Sequence, residues 1–182
     1  AMSHHASPTV ADIQSAIRNI PDFPQPGIQF KDITPVLAEP KLFAATIDLL
    51  AGKYRPEDVD AVVGIDARGF IFAAAVAYKL KAGFIPVRKK GKLPRQCHSV
   101  SYDLEYGSST IEMHKDALQP GSRVLIHDDV LATGGTAEAA AKLVQQAGAE
   151  VAMFQFIVEL SFLKGMNRML PYTSSVTTFA RF

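Results

Sequence analysis

The stretch "VLIHDDVLATGGTAEAA", residues 124–140, holds the features that decide the fold. A continuous apolar run leads into Asp128 and Asp129, and an alanine-rich stretch begins at Thr136. The apolar run predicts a buried strand, the alanines predict a helix, and residues 132–135 form the turn between them. Strands that alternate with helices build a mostly parallel sheet.

The same alternation recurs along the chain. Strands are predicted at residues 60–65, 83–88, 123–129, 149–160 and 175–182, and helices at 40–51, 69–81 and 136–147, the second of them stopped by Gly83. Val10, Ile13, Ile17 and Ile20 predict an earlier helical stripe, and the proline-rich residues 21–30 predict an irregular segment. A period of two in residues 99–114, with Tyr102, Leu104 and Tyr106 on one face, predicts a flap hairpin.

We therefore expect an α/β fold. A mostly parallel twisted sheet should carry helices on both faces, with the flap hairpin added to it. Residues 1–35 do not fit the alternation, so we expect a small N-terminal hood over the carboxyl edge of the sheet, where such folds bind ligands. Residues 36–182 should form the core.

Composition narrows the class of protein. Of the 182 residues, 48% are hydrophobic, which is enough for a core, and the net charge of +1 gives no field that would attract nucleic acid or an anionic membrane. The single cysteine, Cys97, excludes an internal disulfide and fits a reducing compartment. No secretory signal is recognisable, and the longest apolar run, residues 69–78, is too short to span a bilayer. We expect a cytoplasmic protein without nucleic-acid or membrane partners.

The loop Ala132-Thr133-Gly134-Gly135-Thr136 is a candidate anion site. Glycines allow backbone N–H groups to converge on an anion, and the following helix adds the positive end of its dipole. An ordinary threonine-capped turn would have the same sequence. No lysine follows the glycines, so the loop is not a Walker A loop. The acids at 128 and 129 distinguish it further, although neighbouring residues on a strand should point to opposite faces.

Several segments of the sequence resemble those of a known enzyme family. "VLIHDDVLATGGT" (124–136) resembles the phosphoribosyl-pyrophosphate signature of the type I phosphoribosyltransferases, with His127 where an apolar residue is usual. "PDFPQPGIQFKDITPVL" (21–37), "GIDARGF" (64–70), "VRKKGKLP" (87–94) and "YDLEYG" (102–107) look like the adenine-specific branch, adenine phosphoribosyltransferase, in the right order. The type I phosphoribosyltransferase fold agrees with the predicted architecture.

The resemblance implies transfer of phosphoribosyl from phosphoribosyl pyrophosphate to adenine, which gives AMP and pyrophosphate in purine salvage. It places the 5′-phosphate on Ala132, Thr133, Gly134, Gly135 and Thr136, and the ribose hydroxyls on Asp128 and Asp129. These carboxylates would also stabilise positive charge that develops on the ribose ring.

Pyrophosphate is expected at a second cradle, "GIDARG" (64–69). The resemblance assigns it to Asp66, Ala67, Arg68, Arg88, Lys89 and Lys92, and implies a cis peptide bond between Asp66 and Ala67. By its residues alone this segment could equally be a helix cap and a solvated basic loop. Mg²⁺ is expected to arrive with the substrate, because the sequence has no cluster that forms a protein-only metal site. In related enzymes the basic loop reaches the neighbouring subunit, which implies a homodimer.

Adenine recognition is assigned by the resemblance to Ile28, Gln29, Phe30 and Lys31. Glu105 is expected near the purine imidazole edge, as a general acid/base or as part of the closing lid together with Tyr106. Many relatives have arginine where Lys31 stands, so its contact stays open. The alternatives are an enzyme for another base and a regulator that senses phosphoribosyl pyrophosphate without catalysis.

Overall fold

The computed structural model of the chain describes residues 6–104 and 107–182. Its strands are β1 Arg18–Pro21, β2 Gln29–Asp32, β3 Ala61–Ile65, β4 Gly83–Lys89, β5 Cys97–Asp103, β6 Ser108–His114, β7 Arg123–Leu131, β8 Glu150–Glu159 and β9 Val176–Arg181. Its α-helices are α1 Val10–Ala16, α2 Thr34–Ala38, α3 Pro40–Ala51, α4 Gly69–Leu80, α5 Gly135–Gln146 and α6 Met166–Met169.

A seven-stranded sheet in the order β5-β6-β4-β3-β7-β8-β9 organises the molecule. Strands β4, β3, β7, β8 and β9 are mutually parallel, whereas β6 runs antiparallel to β4 and β5 antiparallel to β6. The expected mostly parallel α/β sheet with an added flap hairpin is confirmed. The hairpin continues the sheet at one edge.

Helices cover both faces of this sheet, as expected. Adjacent residues on a strand enter opposite cores: Val62 packs with helices α1 to α4, and Val63 packs with α5 and α6. Burial on both faces explains why the central strands are continuous apolar runs. The described helices include none long and apolar enough to cross a membrane.

The N-terminal segment differs from the predicted one. Helix α1 is opened by a capping box between Thr9 and Asp12 and ends at Ala16, so Ile20 lies on β1 and the predicted stripe is wrong beyond that point. Part of the segment predicted to be irregular is strand β2, which pairs antiparallel with β1. Cross-strand pairing of these two short strands thus overrides the breaking effect of the prolines between them.

The end of α4 also differs from the prediction. Lys81 adopts the left-handed conformation (φ +55°) and Ala82 N donates to Ala77 O at 2.9 Å, which terminates the helix before Gly83. Gly83 itself begins β4 and pairs with Ala61. The turn is therefore made by an exposed lysine, for which the glycine pattern gave no signal.

Candidate active site

Asp128 and Asp129 lie where β7 extends beyond the end of its neighbour β3. Pairing of β7 with β3 stops at His127, while pairing with β8 continues to Leu131. Asp128 and Asp129 therefore occupy a gap at the carboxyl edge of the sheet. Both border a cavity of about 370 Å³ and a second one of about 260 Å³. The two acids have different neighbours, as strand alternation predicts: Asp128 also borders the phosphate-loop cavity, whereas Asp129 pairs with Arg68.

The two carboxylates have different surroundings. Asp129 is only 5% exposed and its Oδ2 accepts a hydrogen bond from Arg68 Nε at 2.7 Å. Asp128 Oδ1 accepts from the Asp129 amide at 2.8 Å. Burial, followed by the charge of Asp129, raises the pKa of Asp128 well above its ordinary value. Asp128 is therefore the carboxylate that gains most from a cationic or hydrogen-bonding ligand.

Helix α4 begins beside Asp128 with Gly69, which has no side chain that would clash with the carboxylate. A Cβ on Gly69 would lie 2.9 Å from Asp128 Oδ1 and 3.3 Å from the His127 carbonyl oxygen. The absence of a side chain at position 69 therefore allows the carboxylate to approach the positive end of the helix dipole.

The predicted phosphate loop has the expected form. Residues 132–136 line a cavity of about 70 Å³, and Asp128 borders it. Gly134 has a φ of +90° and stands at the N-cap of α5, whose first turn contains Gly135 and Thr136. The structure places all five predicted residues around one small concave site at the start of a 12-residue helix.

The second predicted cradle borders the 370 Å³ cavity. The Asp66-Ala67 peptide bond is cis, as the resemblance implies. Asp66, Ala67, Arg68 and Lys89 line the cavity, and Arg88 Nε donates to Asp66 Oδ2 at 3.1 Å. Lys92 is exposed and does not line this cavity. The fold thus gathers five of the six residues predicted for pyrophosphate.

The 260 Å³ cavity contains the residues predicted for adenine. Ile28, Gln29, Phe30 and Lys31 line it together with Arg68 and both acids. The guanidinium of Arg68 lies 5.2 Å above the ring of Phe30, and the edge of Phe23 packs against that ring at 5.2 Å. Lys31 Nζ donates to Asn19 Oδ1 at 2.8 Å and lies 4.4 Å over the ring of Phe182. Lys31 is therefore positioned by a residue from each end of the chain.

Several lining residues were missed in the sequence. Val130 and Leu160 border the 260 Å³ cavity, and Tyr102 borders the 370 Å³ cavity, where its hydroxyl accepts from Thr136 Oγ1 at 3.1 Å. The position of Tyr102 on the inner face of a period-two segment was a usable signal for it. Glu105 and Tyr106 lie outside the described residues.

His127 belongs to the core below the site. It is fully buried, and its Nδ1 lies 3.0 Å from Gln155 Oε1. Because Gln155 Nε2 donates to the Leu50 carbonyl, Gln155 Oε1 is the acceptor and His127 Nδ1 carries the hydrogen. Burial lowers the pKa of His127 to about 4, so the ring is neutral at pH 7. These contacts give His127 a structural role in the core.

Two further observations delimit the site. A cavity of about 470 Å³ between residues 6–8 and α3 shares no lining residue with the three cavities at the sheet edge. In residues 6–104 and 107–182, no group of three or more His, Cys, Asp or Glu side chains could bind a metal ion. The three cavities lined by predicted site residues lie at the carboxyl edge of the sheet.

Known proteins are similar to this chain in sequence and fold. Residues 32–178 match the family described as "Phosphoribosyl transferase domain". The adenine phosphoribosyltransferase of Roseiflexus sp. (strain RS-1) is 56% identical over 161 residues, which cover 88% of this chain and 94% of the relative. The crystal structure of adenine phosphoribosyltransferase from Rhodothermus marinus superposes with a TM-score of 0.89 at 53% identity, covering 95% of this chain and 98% of that one. The Saccharomyces cerevisiae enzyme, in complex with D-2,5-dideoxy-2,5-imino-altritol 1,6-bisphosphate and adenine, gives a TM-score of 0.87 at 41% identity, covering 93% and 97%.

Proposed function

Because the chain belongs to the adenine phosphoribosyltransferase family of pentosyltransferases, we propose that its site transfers phosphoribosyl from phosphoribosyl pyrophosphate to adenine. One observation carries this proposal: Asp128 and Asp129 border both the cavity of about 370 Å³ and the cavity of about 260 Å³, and Asp128 also borders the phosphate loop. A ribose ring beside this pair can extend its 5′-phosphate into the loop. Its C1′ then lies between a basic cavity and the cavity that contains Phe30.

The reaction forms one bond and breaks another at C1′. A ring nitrogen of adenine bonds to C1′, the bond from C1′ to the pyrophosphate oxygen breaks, and adenine loses a proton. Positive charge develops on the ribose ring as that oxygen leaves. Asp128 and Asp129 accept the ribose hydroxyls and stabilise this charge through their negative field.

Pyrophosphate binding rearranges the ion pairs of the site. Arg68 is paired with Asp129 and Arg88 with Asp66, so both cations are already held at the cavity. A polyanion that attracts the two guanidiniums competes with the carboxylates and releases Asp129 toward the ribose hydroxyls. Lys89 lines the same cavity and adds to its positive charge.

Adenine binds in the 260 Å³ cavity against Phe30. Phe23 and Arg68 both contact that ring, each at 5.2 Å from its centroid. Backbone carbonyls of residues 28–31 accept from the exocyclic amine, and they cannot pair with a 6-oxo group. The unpaired carbonyl would then penalise hypoxanthine.

Glu105 completes the proposed machinery from the flap, as the acid or base at N7 of the purine or by closing the lid with Tyr106. We propose Mg²⁺ as the cofactor. The carboxylates of Asp128 and Asp129 provide the hard oxygens that suit its bound waters, and the remaining ligands come from the substrate. Mg²⁺ would supply charge neutralisation of the pyrophosphate.

We also propose that the enzyme works as a homodimer in the cytoplasm. Lys92 is exposed and outside the cavity of its own chain, which supports a contact with the site of a neighbouring subunit. The unbridged Cys97 fits a reducing compartment. Sedimentation analysis tests the dimer. Activity recovered by mixing a Lys92→Ala chain with an Asp128→Asn chain would support the shared site.

One assay tests the reaction. AMP is measured after incubation of adenine with phosphoribosyl pyrophosphate, with Mg²⁺ and with a chelator, and hypoxanthine replaces adenine in a parallel series. We expect Mg²⁺-dependent AMP formation and little product from hypoxanthine. Turnover of hypoxanthine without turnover of adenine would refute the base assignment, and binding of phosphoribosyl pyrophosphate without turnover of any base would indicate a sensor.

A further inference from the structure

The phosphate loop contains no charged side chain between Ala132 and Thr136. Its donors are neutral N–H and hydroxyl groups, and Asp128 borders the same cavity. A 5′-phosphate carries about two negative charges at neutral pH. Helix α5 offers the partial charge of its dipole, about half a unit. The local balance of charge therefore calls for a cation close to the loop.

Arg168 of α6 lies against the two glycines of the loop. A Cβ on Gly134 would lie 3.2 Å from Arg168 Cβ and 3.4 Å from its Cδ, and a Cβ on Gly135 would lie 3.8 Å from Arg168 Nη1. The side chain thus runs along the glycine pair and brings its guanidinium to the first residue of α5. The same point beside Gly135 is 3.8 Å from Thr133 Oγ1, a predicted phosphate donor.

The segment that carries Arg168 is fixed to the loop by backbone packing. A Cβ on Gly165 would collide with the Ala132 carbonyl oxygen, and a Cβ on Gly134 would lie 2.9 Å from the Gly165 carbonyl oxygen. The glycines at 134 and 165 therefore permit close approach of the two segments. This contact places the start of α6, and with it the Cβ of Arg168, beside the loop.

The ion pair of Arg168 does not by itself explain this placement. Its Nη1 lies 3.5 Å from Glu138 Oε1, at the limit of a hydrogen bond, and the arginine side chain is 52% exposed. Exposed pairs of this kind contribute little. A cation at the N-terminus of a helix is unfavourable with respect to the helix dipole, and Glu138 of the first turn, at the limit of a hydrogen bond, offsets this only weakly.

We propose that Arg168 is a 5′-phosphate-binding residue that acts through its charge from the outer side of the loop. Glu138 holds the guanidinium near Gly135 and competes with the phosphate for it. This inference rests on the proposed function, because it takes the loop to be the 5′-phosphate site. It assigns a binding role to a residue 32 positions beyond Thr136.

Three variants separate this role from a structural one. Arg168→Gln keeps the carbons that pack on Gly134 and removes the charge, Arg168→Lys keeps the charge, and Glu138→Gln removes the competing acid. For each, KM for phosphoribosyl pyrophosphate, KM for adenine and kcat are measured, together with calorimetric binding of ribose 5-phosphate and the thermal midpoint.

We expect Arg168→Gln to raise KM for phosphoribosyl pyrophosphate and the Kd of ribose 5-phosphate about fivefold, with kcat and KM for adenine nearly unchanged. Salt at about 0.5 M should reduce this difference. Arg168→Lys should restore most of the affinity, and Glu138→Gln should leave it unchanged or improve it.

Two results would overturn the proposal. One is unchanged affinity for both phosphate ligands in Arg168→Gln with an unchanged thermal midpoint. The other is an equal loss in Arg168→Gln and Glu138→Gln, which would mean that the ion pair has only a structural role. Failure of the proposed function is distinguishable, because wild-type protein would then form no AMP while the ribose 5-phosphate titrations still report on Arg168.

Discussion

Arg68 Nε donates a 2.7 Å hydrogen bond to Asp129 Oδ2, and the same guanidinium lies 5.2 Å over the ring of Phe30. Arg68 therefore contacts both Phe30 in the proposed adenine cavity and Asp129. Its ion pair compensates the charge of Asp129, whereas Asp128 has a pKa well above its ordinary value because of burial and the neighbouring charge. The two acids start from different electrostatic states.

Single substitutions of the acids should therefore have different consequences. Asp128→Asn and Asp129→Asn are each expected to lower kcat about 100-fold or more, since each removes negative charge beside C1′. Asp129→Asn should also lower the thermal midpoint, because it leaves Arg68 without its closest anion. The measurements are kcat and the thermal midpoint of unfolding for each single variant and for the wild type. Near-normal turnover in the double variant would refute the role of the pair.

Asp128→Asn should stabilise the protein at neutral pH. The folded pKa of Asp128 is raised, so its favourable contribution is complete below the unfolded value of 3.8 and is lost as pH rises through the folded pKa. Above that pH the wild type carries an unfavourable charge that asparagine lacks. We expect a higher thermal midpoint for the variant at pH 7 and a gain that disappears toward pH 3.5. An equal gain at both pH values would contradict this cause.

Tyr102→Phe should weaken the contact between the flap and the phosphate loop. It removes the acceptor of the 3.1 Å hydrogen bond from Thr136 Oγ1. A lost hydrogen bond of about 1 kcal/mol corresponds to about a fivefold decrease in kcat/KM for phosphoribosyl pyrophosphate. Ser101→Ala is the matched control, because it removes a hydroxyl that bonds Thr110 Oγ1 on the other face of β5. Equal effects of the two variants would argue against a specific contact.

Glu105→Gln tests the flap acid. If Glu105 transfers a proton at the purine, kcat should fall about 100-fold or more while KM for both substrates changes little. Its control is Asp103→Asn, which removes an exposed acid from the same hairpin. The pH profile of kcat adds a second readout, since Glu105→Gln should abolish the acidic limb if Glu105 is the base and the alkaline limb if it is the acid. Wild-type turnover in this variant would exclude the proposed role.

His127 should make the fold sensitive to acid. Burial lowers its pKa from 6.5 to about 4. Between these two pH values His127 is therefore protonated in the unfolded chain and neutral in the folded chain. This stability is complete above pH 6.5 and is lost as pH falls through 4, by about 3 kcal/mol. In denaturant titrations from pH 7 to pH 4, His127→Asn should lose less, because asparagine can donate to Gln155 without titrating. Parallel losses in both proteins would assign the acid lability to other groups.

Local patterns in the sequence determined the elements and most of the site. The apolar runs before Asp128 and Asp66 predicted buried strands, the glycines at 134 and 135 predicted a tight turn before α5, and the structure has both. The parallel sheet, the cis peptide at Asp66-Ala67 and the residues of the phosphate loop were predictable because each depends on neighbours in the chain or on a motif that carries the resemblance.

Relations between distant residues were decided by the tertiary structure. The pairing of Arg68 with Asp129, the position of Lys31 between Asn19 and Phe182, and the approach of Arg168 to Gly135 join residues far apart in sequence. Strand alternation alone predicted that Asp128 and Asp129 would separate. Both nevertheless border the same two cavities, because pairing of β3 with β7 stops at His127 while β7 continues to Leu131, and a pairing register between distant strands is set only when the sheet forms.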